Sequence, residues 1–125
     1  MQTPTQLELE ARQQVTVARL TGEIDLANAA SLGTTLAGAV TNTAPGLVVD
    51  LSAVSYFDSA GIRLLFDLAG RLSGRGQRLH AVVDPSSRIA YMLSIVDLET
   101  IVPCHPTVEA AVAGLRDDPG PGADT

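Results

Sequence analysis

The residues Asp58-Ser59-Ala60-Gly61 place a hydroxyl between a continuous apolar run, Leu47 to Leu51, and an amphipathic run that begins at Ile62. At a helix start the unpaired backbone N–H groups and the positive end of the helix dipole favour an anion, so Ser59 has the setting of a reversible phosphate acceptor. The same four residues also read as an ordinary helix N-cap, because Asp and Ser are preferred capping residues. On local pattern alone both readings stand. Gly61, one turn into the helix, costs about 1 kcal/mol relative to Ala by propensity. It therefore points to a close approach by a partner or a neighbouring strand, with Ala60 keeping the turn small.

Other side chains offer chemistry that the pattern does not support. A hydrolase built on Ser59 needs a histidine base, and His80 and His105 are the only histidines. Neither lies in a recognisable motif, and a Gly-x-Ser-x-Gly elbow is missing. Asp50, at the end of a strand-like run, could be taken for the phosphoacceptor of a receiver domain, but such domains resemble one another in needing a late lysine and an acidic pair after the first strand. All eight basic residues here are arginines. Asp50 is accordingly read as a turn or partner-facing carboxylate. Without lysine a Walker-type phosphate loop is also excluded. Cys104 is the single cysteine, which rules out an internal disulfide and a cysteine-built zinc site, and it is read as a passive, half-buried thiol.

The composition sets further bounds. The length suits one domain with its own core. With no Trp, two Phe and two Tyr, surfaces for stacking nucleobases are scarce; with a formal charge of −6 and scattered arginines, no phosphate-tracking patch is visible. Direct binding to DNA or RNA is not expected. The first residues carry neither a basic nor an apolar leader region, and no stretch approaches the roughly 18 apolar residues of a membrane span, so a cytoplasmic protein is expected, without membrane insertion.

The elements that must position Ser59 follow from periodicity. Leu7, Leu9 and Ala11 alternate with Glu8, Glu10 and Arg12; after Gln13-Gln14 the alternation resumes with Val15, Val17 and Arg19 against Thr16, Ala18 and Leu20. This predicts an antiparallel pair of strands, the second closing at Thr21 to Asp25. Helical spacing follows from Ala27 to Val40, with Asp25 as its N′ or Ncap residue. After the breaker cluster Asn42 to Gly46 comes a strand at Leu47 to Leu51, and then a helix from about Ser59 to Ser73 ended by Gly74-Arg75-Gly76. A strand from Leu79 to Val83, the turn Asp84 to Ser87, a short helix through Leu93, a short edge strand at Glu99 to Pro103 and a last helix capped by Thr107 complete the order.

An antiparallel start followed by helix and strand units predicts an α/β domain. Its mixed sheet has about five strands, the later ones parallel, with right-handed crossovers that put the helices mainly on one face. Residues 1–6 are expected to be flexible, 7–116 to form the domain and 117–125 to be disordered. Asp25, Asp50, Asp58, Ser59 and Asp84 all follow strands on this reading and are candidates to share the edge at the strands' carboxyl ends.

These motifs together resemble the STAS domain, and within it the free-standing anti-sigma factor antagonists. Gly22-Glu23-Ile24-Asp25 resembles the family's Gly-Glu-Leu-Asp turn, Val49-Asp50-Leu51-Ser52 its third strand, and Phe57-Asp58-Ser59-Ala60-Gly61 its phosphorylation turn; Thr107 to Ala111 resembles the start of its last helix. The chain departs from the family at Asp97-Leu98, where members often carry Gly, and at Phe57, where an aliphatic residue is usual. An Asp can still take the left-handed conformation at such a turn.

The resemblance implies a partner-switching regulator that is not itself an enzyme. The unmodified chain would bind an anti-sigma factor with serine kinase activity through Asp25, Asp58, Ser59, Ala60 and Gly61, and so release a sigma factor. Phosphorylation of Ser59 would abolish that binding, and a phosphoserine phosphatase would reset it. The chain itself would hold no cofactor or metal, ATP and Mg²⁺ being supplied by the partner kinase. A weak homodimer is left open. The alternative within the family is a non-switching scaffold or transporter-associated subunit, in a stress-signalling assembly or in lipid transport; the distant alternative is the small serine hydrolase.

Overall fold

The computed structural model describes residues 5–119; the remainder of the two end segments expected to be flexible or disordered lies outside the described residues. Gln6 already belongs to the first strand and Asp117 to the last helix. The hairpin forms as the alternation requires: β1 (Gln6–Arg12) runs antiparallel to β2 (Val15–Ile24). Its two connecting residues, Gln13 and Gln14, both take positive φ (51° and 74°). That backbone matches the twist of the flanking strands but ordinarily calls for Asn or Gly.

From β3 onward every strand pairs parallel to the one before, giving the order β1-β2-β3-β4-β5. The intervening elements are α1 (Ala29–Ala39), β3 (Gly46–Phe57), α2 (Ser59–Ser73), β4 (Arg78–Val82), α3 (Arg88–Ile95), β5 (Cys104–His105) and α4 (Val108–Asp117). Crossovers of one hand place α1, α2 and α3 on one face of the sheet, as expected. There Leu20 and Ile24 of β2, Leu47, Val49 and Leu51 of β3 and Leu79 and Ala81 of β4 meet Leu36, Leu65, Leu68 and Leu93. Among the described residues no strand follows β5, and α4 closes the other face, where Val108, Ala111, Val112 and Leu115 cover Val15, Val17, Val48 and Val82. Strands buried on both faces are continuous apolar runs, which is why Leu47-Val48-Val49 carried so clear a signal.

Two expectations are corrected. The third strand does not stop near Leu51 but continues to Phe57, pairing with β2 as far as Ile24↔Phe57 while β4 reaches only Asp50↔Val82. Beyond that level β3 loses a neighbour, and its residues become the polar, exposed Ser52, Ser55 and Tyr56, which hide the strand in the sequence. Glu99 to Pro103 is not a strand either. Leu98–Thr100 is a single 3₁₀ turn, and pairing begins at Cys104, because Pro103 has no N–H to give and contributes only its carbonyl, to Ala81 N–H (2.9 Å). Asp97 takes the left-handed conformation at this turn (φ 57°, ψ 32°). Among the described residues no helix is long and apolar enough to cross a membrane.

Candidate docking and modification site

The long third strand delivers Ser59 to the far end of the sheet. Because Ile24 pairs with Phe57, the two residues that follow the strands, Asp25 and Asp58, leave the sheet side by side. Asp58 is the N-cap of α2: its backbone is extended (φ −134°, ψ −163°) and its Oδ1 accepts from Ala60 N–H at 2.9 Å. Its carbonyl accepts from Gly61 N–H (2.9 Å) and Ile62 N–H (3.2 Å). The capping reading and the placement of Ser59 at a helix start are therefore both realised, with Asp58 as the cap and Ser59 as the first helical residue. Ser59 is exposed, and among the described residues its hydroxyl has no hydrogen-bond partner.

The second carboxylate oxygen of Asp58 accepts from the Tyr56 hydroxyl at 2.9 Å. That bond, with the negative charge of Asp58 behind it and of Asp25 further off, raises the Tyr56 pKa above its ordinary value, while Arg88 at the start of α3 acts in the opposite sense. Tyr56 was not singled out in the sequence. A tyrosine two residues before an N-cap on an extended strand lies on the same side as the cap, and that spacing is the signal that pointed to it.

Asp25 turns out not to be the cap of α1. Its Oδ1 accepts from Ala27 N–H (3.0 Å), its carbonyl accepts from Ala29 N–H (2.9 Å), and Asn28 Oδ1 takes the Asp25 N–H (3.0 Å). Asn28 then anchors the loop to the strand by donating to the Glu23 carbonyl (2.8 Å). The loop so braced holds Leu26 out with 87% of its surface exposed. Leu26 lines a groove of about 310 Å³ between α1 and α2, together with Ala30, Gly33, Ala60, Leu64, Arg63 and Asp67.

Of the two sources of close approach expected for Gly61, the neighbouring strand is the one found, through the side chain of the last residue of β3 rather than through its backbone. It is buried against the ring of Phe57, which leaves no room for a side chain at position 61.

The other candidates fall elsewhere. Asp50 is not a turn or partner-facing carboxylate: because β3 runs on past it, it is buried (3% exposed) on the sheet face that α4 packs on. It lies level with Arg19 of β2, whose Nε stands 3.2 Å from Asp50 Oδ2. Its Oδ1 accepts from Ser52 N–H (2.9 Å) and the Ser52 hydroxyl (2.6 Å). Asp84 closes a turn of its own, accepting from Ser86 N–H and hydroxyl, and those bonds hold its pKa below the ordinary range. Of the five residues expected on one edge, the fold brings together Asp25, Asp58 and Ser59. His80 lies on the α4 face of the sheet with both ring nitrogens engaged, by His105 and Asp118, so it is no partner for Ser59. The Cys104 thiol donates to the Val102 carbonyl, and burial, with Glu99 nearby, pushes its pKa up to about 11.

Comparison with known proteins places the fold in a family. The chain is 30% identical over 103 residues to the anti-sigma-F factor antagonist RsfB of Mycobacterium tuberculosis, with 82% of each chain covered. A crystal structure of an anti-sigma factor antagonist from Mycobacterium paratuberculosis superposes with a TM-score of 0.78 at 28% identity, covering 94% of this chain and all (100%) of that one. The Bacillus cell fate determinant SpoIIAA in its phosphorylated form shares the fold, with a TM-score of 0.64 at 21% identity over 89% of this chain and 100% of its own. The STAS domain description matches residues 6–111, and with these relatives it establishes that the chain belongs to the STAS domain family.

Proposed function

We propose that the chain is an anti-sigma factor antagonist. Its docking surface is the Ser59 turn together with the Asp25 loop and the groove between α1 and α2, and phosphorylation of Ser59 switches docking off. The observation that carries this reading is the state of Ser59: an exposed hydroxyl with no partner among the described residues, on a helix start whose cap is already made by its neighbour. The name of the Mycobacterium tuberculosis relative supports the partner class.

In the proposed step the Ser59 oxygen attacks the γ-phosphorus of ATP held by a kinase-type anti-sigma factor; the bond to ADP breaks, and the hydroxyl proton passes to a base. Asp58 is poorly placed to be that base, since its two oxygens are committed to Ala60 N–H and to the Tyr56 hydroxyl. The base, the nucleotide and Mg²⁺ belong to the partner, and this chain is the substrate rather than the catalyst. A separate phosphatase returns Ser59 to its free form.

The new group brings a charge of roughly −1.5 to −2. Three N–H groups of the helix start are already taken by Asp58, so the phosphate is not absorbed into the helix and its charge faces outward beside Asp58 and Asp25. Burying that charge at an interface opposes docking, while the free protein keeps its fold. The test is incubation with candidate kinase-type anti-sigma factors and ATP, followed by mass spectrometry of the wild type and Ser59→Ala. One phosphate on wild type, mapped to Ser59 and lost in Ser59→Ala, supports the reading; modification at another residue, or none with any partner that binds, contradicts it.

A further inference from the structure

The two histidines of the chain, separated by 25 residues in sequence, meet in one hydrogen-bonded line. His80, buried on β4 at 3% exposure, has Nε2 at 2.9 Å from Asp118 Oδ2 and Nδ1 at 2.9 Å from His105 Nε2. The imidazole rings lie within 7° of coplanar, with centroids 5.1 Å apart, so they meet edge to edge. The His105 ring rests on Gly114 of α4, where a Cβ would come within 2.5 Å of its Cε1. Each member comes from a different element: Asp118 is the residue after α4, His80 is in the middle of β4, and His105 ends the two-residue edge strand β5.

We propose that Asp118, His80 and His105 form an acid-sensitive clasp that fastens the end of α4 and the edge strand β5 to the body of the sheet. Proton counting gives the mechanism. With Asp118 ionised, His80 Nε2–H donates to it, so His80 Nδ1 is a lone pair that accepts His105 Nε2–H. This leaves His105 Nδ1 as the one position that can take a further proton without breaking a bond. A second added proton must enter the His80–His105 contact, where two N–H groups would point at each other, or neutralise Asp118; either opens the line.

Among the described residues the rings make no ion pair beyond that of His80 with Asp118. On α4, Arg116 donates to the Gln13 carbonyl and Glu109 pairs with Arg12. On the same sheet face Asp50 is paired with Arg19. Beside β5 the Cys104 thiol is turned to the Val102 carbonyl, with Glu99 next to it. Burial, and the neighbouring His80, hold the His105 pKa below its ordinary value. The folded state thus favours the neutral ring, so the first proton, on His105 Nδ1, costs stability while the line stays joined and the second opens it: the clasp's contribution is complete above the ordinary histidine value of about 6.5 and declines as pH falls below it. What opening releases is local. Ala81 and Val83 donate to the Pro103 and His105 carbonyls, and α4 seals Val15, Val17, Val48 and Val82.

Histidine is the only side chain whose unperturbed titration falls between about pH 5 and 8, so a side-chain response in that window belongs to this clasp. The test combines side-chain ¹⁵N NMR of the wild type with melting curves at about pH 7.5 and about pH 5.5 for the wild type, Asp118→Asn and His105→Gln. The expected spectrum at the higher pH shows both rings protonated at Nε2. Acidification should lower the wild-type Tm and speed amide exchange at Ala81 and Val83 by about tenfold beyond the intrinsic change. His105→Gln should lose at least half of that Tm drop. An Nδ1–H tautomer at His80, a wild-type Tm equal at the two pH values, or a drop fully retained in both variants overturns the proposal. The NMR reading needs no variant, so it decides the matter even where a substitution prevents folding.

Discussion

The ring of Phe57 lies directly beneath Gly61: a Cβ at position 61 would stand 2.4 Å from Phe57 Cε1. The last residue of β3 and the third of α2 thus fix the angle at which the chain turns through Asp58 and Ser59. The aromatic residue that departs from the family's usual aliphatic and the glycine that costs helix propensity are one packing unit. Gly61→Ala is expected to destabilise the domain by about 1–3 kcal/mol, the usual range for overpacking, despite the better helix propensity of Ala. Phe57→Leu should recover part of that loss when combined with Gly61→Ala. Urea unfolding of the two single variants and the double variant measures the coupling, and additive losses would show that the two residues do not share the site.

Tyr56 reports on the cap. Its hydroxyl donates to Asp58, and the carboxylate's charge holds the phenol's pKa above the ordinary value of about 10. Asp58→Asn removes that charge, so the Tyr56 ionisation should move down toward the ordinary value. Titration followed by ¹³C NMR of labelled tyrosine distinguishes Tyr56 from Tyr91. An unchanged midpoint would mean that Asp58 does not hold the phenol.

The β1–β2 turn carries avoidable strain. Gln13 and Gln14 both sit at positive φ, a region that costs an L-residue with a side chain about 1–2 kcal/mol and that Asn and Gly tolerate. Replacing the pair by Asn-Gly is expected to raise stability by about 1 kcal/mol, read as a higher denaturation midpoint at unchanged slope. A lower midpoint would contradict this.

Much of the frame was legible because its signals are local. The alternation from Leu7 to Arg12 gave β1, the apolar run at Leu47 to Val49 gave the buried half of β3, and the caps Asp58 and Thr107 marked the starts of α2 and α4. What stayed hidden depends on neighbours. The outer half of β3 is exposed because β4 ends at Val82, which no pattern in residues 52–57 reveals. Asp50 reads as a strand-end carboxylate until the register sets Arg19 beside it. Asn28, rather than Asp25, braces the loop before α1, because the tie runs back to Glu23 in the preceding strand. His80, His105 and Asp118 carry no motif at all; only the packing of α4 and β5 around β4 brings them together.

The switch at Ser59 is tested most directly by binding, with the modification already in place. Phosphoserine encoded at position 59 gives a uniform product without any kinase, and calorimetric titration against a kinase-type anti-sigma factor compares it with the unmodified chain. The unmodified chain is expected to bind, and the phosphorylated chain to bind at least a hundredfold more weakly, a difference of about 2.8 kcal/mol, with its circular dichroism spectrum unchanged. Equal affinity of the two forms for a partner that does bind would contradict the proposed role of Ser59.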